Sequence, residues 1–399
     1  MTDLERSPVI VSAVRTPIGK FGRSLKDFSA PQLGAFVIKE ALKRAKGVPP
    51  SDVYEVIMGN VVSAGIGQNP ARQASIKGGL PPEVGATTVN KVCGSGLKSI
   101  MFAAQSIRSG DAECLVAGGM ESMSQCPYLL SDLRWGKRSG DSKVKDAMLL
   151  DGLWEAFNDY HMGITGETIA EKYGITRDMA DEFAHESQTK ASAALRSGAF
   201  IQEIVPLHSF GTDSHALTIE KDECIRSDTT LEGLKSLKPV FKPDGVLTAG
   251  NSSQLSDGAA AVVVVSEAQA KKRKLEILAR VIGYDQAGVR PEFIMEAPIP
   301  ASRAVLKKCN MTIGDMDLVE HNEAYSTASI VVRRELGIPD DKFNVNGGAI
   351  ALGHPLGCSG ARLVTTMIYL LRNKKKHRGL VTLCLGGGEA VSMILETPN

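Results

Sequence analysis

Short apolar runs at residues 9–11, 56–62, 114–118, 259–265 and 277–282 have the length of buried strands, and amphipathic stretches separate several of them. Ser29 and Gln32 have the spacing of a capping box, and Leu33, Phe36, Val37 and Leu42 then fall largely on one helical face. This alternation predicts an α/β architecture with mostly buried strands. Residues 125–251 differ: they are more polar and carry fewer strand signals. Their one clear helix starts after Thr176 and carries Met179, Phe183, Ala184, Ala191 and Leu195. The stretch reads as an insertion or lid region.

An internal repeat organises the rest. Cys93-Gly94-Ser95-Gly96 opens an apolar helical run ending near Gly110, and a strand follows that terminates in Gly118-Gly119-Met120-Glu121. Cys358-Ser359-Gly360 opens a second such run ending near Asn373. Its strand terminates in Gly386-Gly387-Gly388-Glu389, at nearly the same offset. Duplication of one α/β unit, with the two copies joined face to face, accounts for the match.

Composition narrows the function classes. The 399 residues carry 46 basic and 45 acidic side chains, so no basic surplus drives binding to nucleic acid or anionic membrane. The basic clusters at 271–274 and 374–378 read as solvated surface. Seven cysteines, odd in number and without a C-x-x-C pair, point away from disulfides and zinc and towards a reducing compartment. Residues 1–6 lack both a secretory h-region and transit-peptide character, and no apolar run has the length of a membrane span. A cytoplasmic protein without a metal is expected.

Three distant residues carry the candidate chemistry. Cys93 stands before a helix, where unpaired N–H groups and the helix dipole favour thiolate. His354, in the glycine-rich segment 346–360, precedes the second helix of the repeat, so a pseudo-twofold packing would turn it towards Cys93 as an activating base. Cys384 ends an apolar strand before the triple glycine. As a second thiol it could move a proton on carbon while Cys93 is acylated. Asn322, in His321-Asn322-Glu323-Ala324-Tyr325, offers an amide N–H for a developing enolate oxygen, with His354 as a second donor; local loop hydrogen bonding is the competing use of Asn322 and Glu323.

Together these segments resemble the thiolase family along essentially the whole chain. The matching motifs are Ser-Ala-Val-Arg-Thr-Pro at 12–17, Asn-Lys-Val-Cys-Gly-Ser-Gly at 90–96, Gly-Gly-Met-Glu-Ser-Met at 118–123, Thr-Ala-Gly-Asn-Ser-Ser at 248–253, Asn-Glu-Ala at 322–324, Gly-His-Pro-Leu-Gly at 353–357 and Leu-Cys-Leu-Gly-Gly-Gly at 383–388. The resemblance implies a five-layered αβαβα sandwich of two duplicated halves (1–124 with 253–276, and 277–399) and an inserted coenzyme A-binding loop domain (125–252). It further implies Cys93 as acyl acceptor, His354 as its activator and Cys384 as the acid/base at the α-carbon. One oxyanion hole would use His354 and a water held by Asn322; the other would use the N–H groups of Cys93 and Gly386. His161, Met162, Arg226, Phe241, Ser253 and Ala324 match coenzyme A and acyl-pocket positions, with Arg226 facing a nucleotide phosphate.

The implied reaction is the reversible condensation of two acetyl-CoA to acetoacetyl-CoA and CoA through an acetyl-cysteine, with no further cofactor, in a homodimer or homotetramer. His161-Met162-Gly163 resembles the acetoacetyl-CoA-specific branch. Residues 251–257 look more like degradative 3-ketoacyl-CoA thiolases, Tyr325 replaces a more usual phenylalanine, and residues 294–298 depart from the usual glycine-rich pattern. A degradative thiolase of broader chain length and a non-catalytic acyl-CoA-binding relative therefore stay open as alternatives. Ketosynthase and papain-like chemistry leave Cys384 unexplained.

Overall fold

A computed structural model describes residues 5–210 and 216–398. Nine principal strands form one hydrogen-bonded sheet: β1 (Pro8–Arg15), β2 (Glu55–Gly59), β3 (Gly85–Val89), β4 (Cys114–Ser122), β5 (Ser256–Ser266), β6 (Ala279–Gly288), β7 (Leu318–His321), β8 (Arg378–Leu385) and β9 (Glu389–Glu396). Their spatial order is β7-β8-β9-β6-β1-β5-β4-β2-β3. The internal repeat is visible in the pairing. β2 runs parallel to β4, which is antiparallel to β5, which is antiparallel to β1. In the same way β7 is parallel to β8, β8 antiparallel to β9, and β9 antiparallel to β6. Among the described residues the two quartets are joined by strand pairing at Val9 and Ile10 of β1 with Arg280 and Ala279 of β6.

Alternating side chains assign the layers. Val9, Val11, Val14, Val116, Val263 and Val265 face an apolar cluster with α1 (Ala30–Arg44) and α2 (Pro70–Lys77). Ile10, Ala13, Leu115, Val262 and Val264 face the opposite way, onto α3 (Ser95–Ser109) and α8 (Leu356–Asn373). The same central cluster takes Val381, Leu383, Val391 and Met393 from the second quartet. The far side of that quartet, with Leu380, Cys384 and Ile394, packs on α6 (Pro298–Lys308) and α7 (Ser326–Leu336). The order is helix, sheet, helix, sheet, helix: the five-layered sandwich. The apolar run of β5 is buried along its whole length because helices cover both faces.

The stretch between the halves holds α4 (Gly163–Tyr173), α5 (Arg177–Arg196) and short two-stranded pairings. Ile169, Phe183, Ala184 and Leu247 from this stretch share one apolar cluster with α6 and α7, so it packs as part of the body rather than lying over it as a lid.

Two local expectations need correction. The strand read over 56–62 stops at Gly59, because the Val61 and Val62 N–H groups leave the ladder for the carboxylate of Glu121, at 3.0 and 3.2 Å. The two glycine clusters of the repeat are also not equivalent. Gly118 and Gly119 lie inside β4, where a Cβ would stand 2.1 Å from the Ala260 carbonyl oxygen and 1.9 Å from that of Gly357. Gly387 and Gly388, at φ +90° and +86°, instead make the turn from β8 to β9.

Candidate active site

The two central helices cross at glycines. A Cβ on Gly360 of α8 would lie 2.3 Å from the Leu97 nitrogen, and one on Gly96 of α3 would lie 2.8 Å from the Ala361 nitrogen and the Gly357 oxygen. This contact brings together the starts of both helices, just before which Cys93 and His354 stand in the chain. Val92 is forced to φ +47°, a conformation rarely adopted by a β-branched residue, so the bend presenting Cys93 is strained.

Cys93 lies one residue outside the cap Gly94, and burial dominates its titration, pushing the thiol up to about 12. Its own N–H and that of Gly386 point at the sulfur and pull the other way. Burial thus opposes the thiolate expected from a helix terminus, which favours activation of this thiol by a base. Cys384, buried near the end of β8, is likewise pushed up by burial and by the neighbouring Cys93, and its S–H donates to Met295 Sδ at 3.8 Å.

His354 is held by its backbone N–H to the Gln254 carbonyl at 3.0 Å and to Ser256 Oγ at 3.2 Å. Burial pushes the imidazole down to about 3, so it is neutral. Nδ1 lies 2.6 Å from Ser359 Oγ, which itself donates to the Pro355 carbonyl at 2.8 Å, as helical serines do to i−4. A hydroxyl has one proton, so Ser359 accepts from Nδ1–H and Nε2 carries the lone pair. Asn322 Nδ2 lies 3.3 Å from that Nε2, and Asn322 Oδ1 has no hydrogen-bond partner among the described residues. Glu323 does serve the loop, accepting from Ser187 Oγ, Asn344 Nδ2 and the Ile350 N–H at 2.7, 2.8 and 3.2 Å.

A cavity of about 530 Å³ opens over this group and is lined by His354, Tyr325, Leu356, His161, Phe241, Ser253 and Arg226, among others. His161 stacks on Phe241 with ring centroids 4.8 Å apart, and Phe241 meets Tyr325 edge-on at 5.7 Å. Nε and Nη2 of Arg226 are buried without hydrogen-bond partners among the described residues, an arrangement suited to an anion. Met162 packs on the apolar cluster behind this wall, and Ala324 gives its carbonyl to the Ser253 N–H at 3.0 Å; neither side chain lines the cavity.

Sequence reasoning missed Ser359, Met295 and Glu121 as parts of the site. Glu121 is wholly buried and pushed up to about 7 by that burial. It accepts from Asn60 Nδ2 at 2.8 Å and from the Gly357 N–H at 2.8 Å, fastening the start of α8 to the first half. Its place in the glycine repeat was the only available signal.

The thiolase N-terminal domain model matches residues 8–268 and the thiolase C-terminal domain model residues 275–397. The chain belongs to the thiolase family. It is 50% identical over 396 residues to an acetyl-CoA acetyltransferase of Cupriavidus necator, covering 99% of this chain and 100% of that one. It is also 50% identical over 392 residues to an Escherichia coli K12 protein of the same name, covering 98% and 99%. Among solved structures, the Bacillus anthracis acetyl-CoA acetyltransferase superposes with a TM-score of 0.97 at 40% identity over all of both chains. Human mitochondrial 3-ketoacyl-CoA thiolase superposes with a TM-score of 0.95, also at 40% identity, over 99% of this thiolase and 100% of that chain. The fold is therefore shared with both an acetyl-CoA acetyltransferase and a 3-ketoacyl-CoA thiolase.

Proposed function

We propose that this thiolase is an acetyl-CoA acetyltransferase, condensing two acetyl-CoA to acetoacetyl-CoA and CoA in a reversible ping-pong reaction. The observation that carries the reading is a neutral imidazole, His354, on the wall of a cavity that also holds the guanidinium of Arg226, with Cys93 and Cys384 within electrostatic reach of each other and of Tyr325 on the same wall. Names borne by relatives 50% identical over nearly the whole chain support the substrate.

In this reading the Cys93 sulfur attacks the acetyl-CoA carbonyl as His354 Nε2 takes its proton. The N–H groups of Cys93 and Gly386 hold the tetrahedral oxyanion, and CoA leaves with the proton. Cys384 then passes its own proton to His354 Nε2 and, as the thiolate, removes a proton from the methyl carbon of a second acetyl-CoA. The enolate oxygen is held by the resulting His354 Nε2–H and by a water on Asn322. Attack of that carbon on acetyl-Cys93 forms the new C–C bond, and the departing Cys93 sulfur takes the proton back from His354 Nε2. Charge is stabilised where it develops, and desolvation strengthens each contact.

Residues 125–252 supply most of the CoA grip. Arg226 pairs with a phosphate, His161, Phe241 and Ser253 line the channel, and Met162 and Ala324 back it. The halves 1–124 with 253–276 and 277–399 supply the chemistry, with neither metal nor further cofactor. A homodimer or homotetramer fits the partly exposed edge strand β3 and the exposed Tyr128 and Trp135. Seven free cysteines fit a cytoplasmic setting. A degradative thiolase of broader range is the second reading, favoured by residues 251–257 and by the human neighbour.

Acetyl-CoA alone should leave an acetyl group on Cys93, detected by peptide mass spectrometry, with acetoacetyl-CoA and CoA appearing together. An adduct elsewhere, or none, rejects the mechanism.

A further inference from the structure

Tyr325 is 7% exposed and lies on the wall of the same cavity as His354. Its hydroxyl makes no hydrogen bond among the described residues and is not one of the wholly enclosed unpartnered polar atoms, so it meets the cavity. The ring cannot swing aside. Phe241 meets it edge-on at 5.7 Å, and it lies so close to α4 that a Cβ on Gly166 would stand 3.3 Å from it. The backbone is tied on both sides, by Ser326 N–H to the Asn251 carbonyl at 3.0 Å and by Ser253 N–H to the Ala324 carbonyl at 3.0 Å. Charge on either Cys93 or Cys384 disfavours ionisation of the phenol, so the oxygen lies within electrostatic reach of both sulfurs.

We infer that the Tyr325 hydroxyl is a specificity-determining group, a polar wall of the acyl pocket that selects short acyl chains over longer aliphatic ones. The inference rests on the thiolase reading and addresses the choice between its two branches. An acetyl group on Cys93 leaves the hydroxyl access to cavity water. An aliphatic tail growing from the same sulfur displaces that water and offers no lone pair or proton in return, so the hydroxyl is stripped without compensation. Phenylalanine at this position presents only C–H and carries no such penalty.

The test is thiolysis by the full-length enzyme with acetoacetyl-CoA and with 3-ketohexanoyl-CoA, comparing wild type with Tyr325→Phe. The ratio of kcat/KM for the longer substrate to that for the shorter should rise about tenfold in the variant, the scale on which pockets discriminate a methylene or two. A ratio within twofold of wild type overturns the inference, even if both activities fall together, since that is what a hydroxyl bound to every substrate alike would give. Tyr325→Leu also lacks the hydroxyl and should move the ratio the same way if the phenylalanine variant fails to fold. Wild-type protein that thiolyses neither substrate and forms no acetyl-Cys93 overturns the thiolase reading itself. Wild-type activity with an unmoved ratio in the variants overturns the Tyr325 assignment alone.

Discussion

The crossing of α3 and α8 makes a demanding test of how the site is assembled. Alanine at Gly360 is locally harmless: the position is helical, and alanine is favoured over glycine in a helix by about 1 kcal/mol. Its Cβ, however, would stand 2.3 Å from the Leu97 nitrogen and 2.8 Å from the Leu97 Cβ, where ordinary contact begins at 3.4 Å. Backbone nitrogen cannot rotate away as a side chain would, so the helices must part by about an ångström. Overpacking of this kind costs ~1–3 kcal/mol, partly offset by the helix propensity, so the variant should still fold and melt only a few degrees lower. Catalysis should suffer far more. Cys93 and His354 sit at the starts of these two helices, and a displacement near 1 Å in reacting geometry costs about a hundredfold. Single-turnover acetylation of Cys93 by acetyl-CoA, followed by quenched mass spectrometry, reads that step directly. Gly314→Ala, whose new Cβ has its nearest neighbour 3.5 Å away, is the matched control. Wild-type acetylation in a folded Gly360→Ala protein would refute the claim that helix contact sets the distance between sulfur and imidazole.

Four further outcomes follow from the same geometry. Ser359→Ala removes the acceptor for His354 Nδ1–H, worth ~1–1.5 kcal/mol, so kcat should fall about tenfold with KM unchanged; a change confined to KM contradicts the tautomer assignment. Arg226→Ala should raise KM for CoA thioesters about ten- to a hundredfold while sparing the phosphate-free acetyl-pantetheine analogue, and equal losses on both would place the phosphate elsewhere. Cys384→Ala should still acquire the acetyl group on Cys93 but lose at least ~10²-fold in condensation; failure to acetylate would remove Cys384 from the carbon-acid step. Glu320 is wholly buried with Arg362 no nearer than 3.8 Å, and burial pushes its carboxyl up to about 8. Between the ordinary carboxylate range and pH 8 the folded state holds a proton that the unfolded state has released, so this group's contribution falls as pH rises, by about 1.4 kcal/mol per unit. Glu320→Gln lacks that slope, and its melting temperature should therefore gain on wild type from pH 5 to pH 8; parallel curves would show that Glu320 is ionised throughout.

The parts of the site legible in the sequence are those that local chemistry writes down. Buried strands such as β5 read as unbroken apolar runs because both faces are covered, and the helix starts after Cys93 and near His354 are marked by small residues. The duplicated helix and strand were legible for the same reason, since each copy repeats them in order, whereas the strand pairing that joins them was not read. What stayed hidden is decided by neighbours far along the chain. Glu121 ends β2 early by drawing the Val61 and Val62 N–H groups out of the ladder, and nothing near residue 61 announces a carboxylate sixty positions away. Ser359 looks like any helical serine until His354 folds back on it. The contest over the thiolate expected at Cys93 has the same origin. A helix terminus is a local feature and favours the anion, whereas desolvation comes from the whole packed core and pushes the thiol up to about 12. Desolvation dominates because Cys93 stands one residue short of the cap, between Val92, which meets Gly386, and Gly94, which meets Leu385 of the second half. The same enclosure keeps His354 neutral, so the features that make Cys93 a poor resting nucleophile also supply the base that activates it.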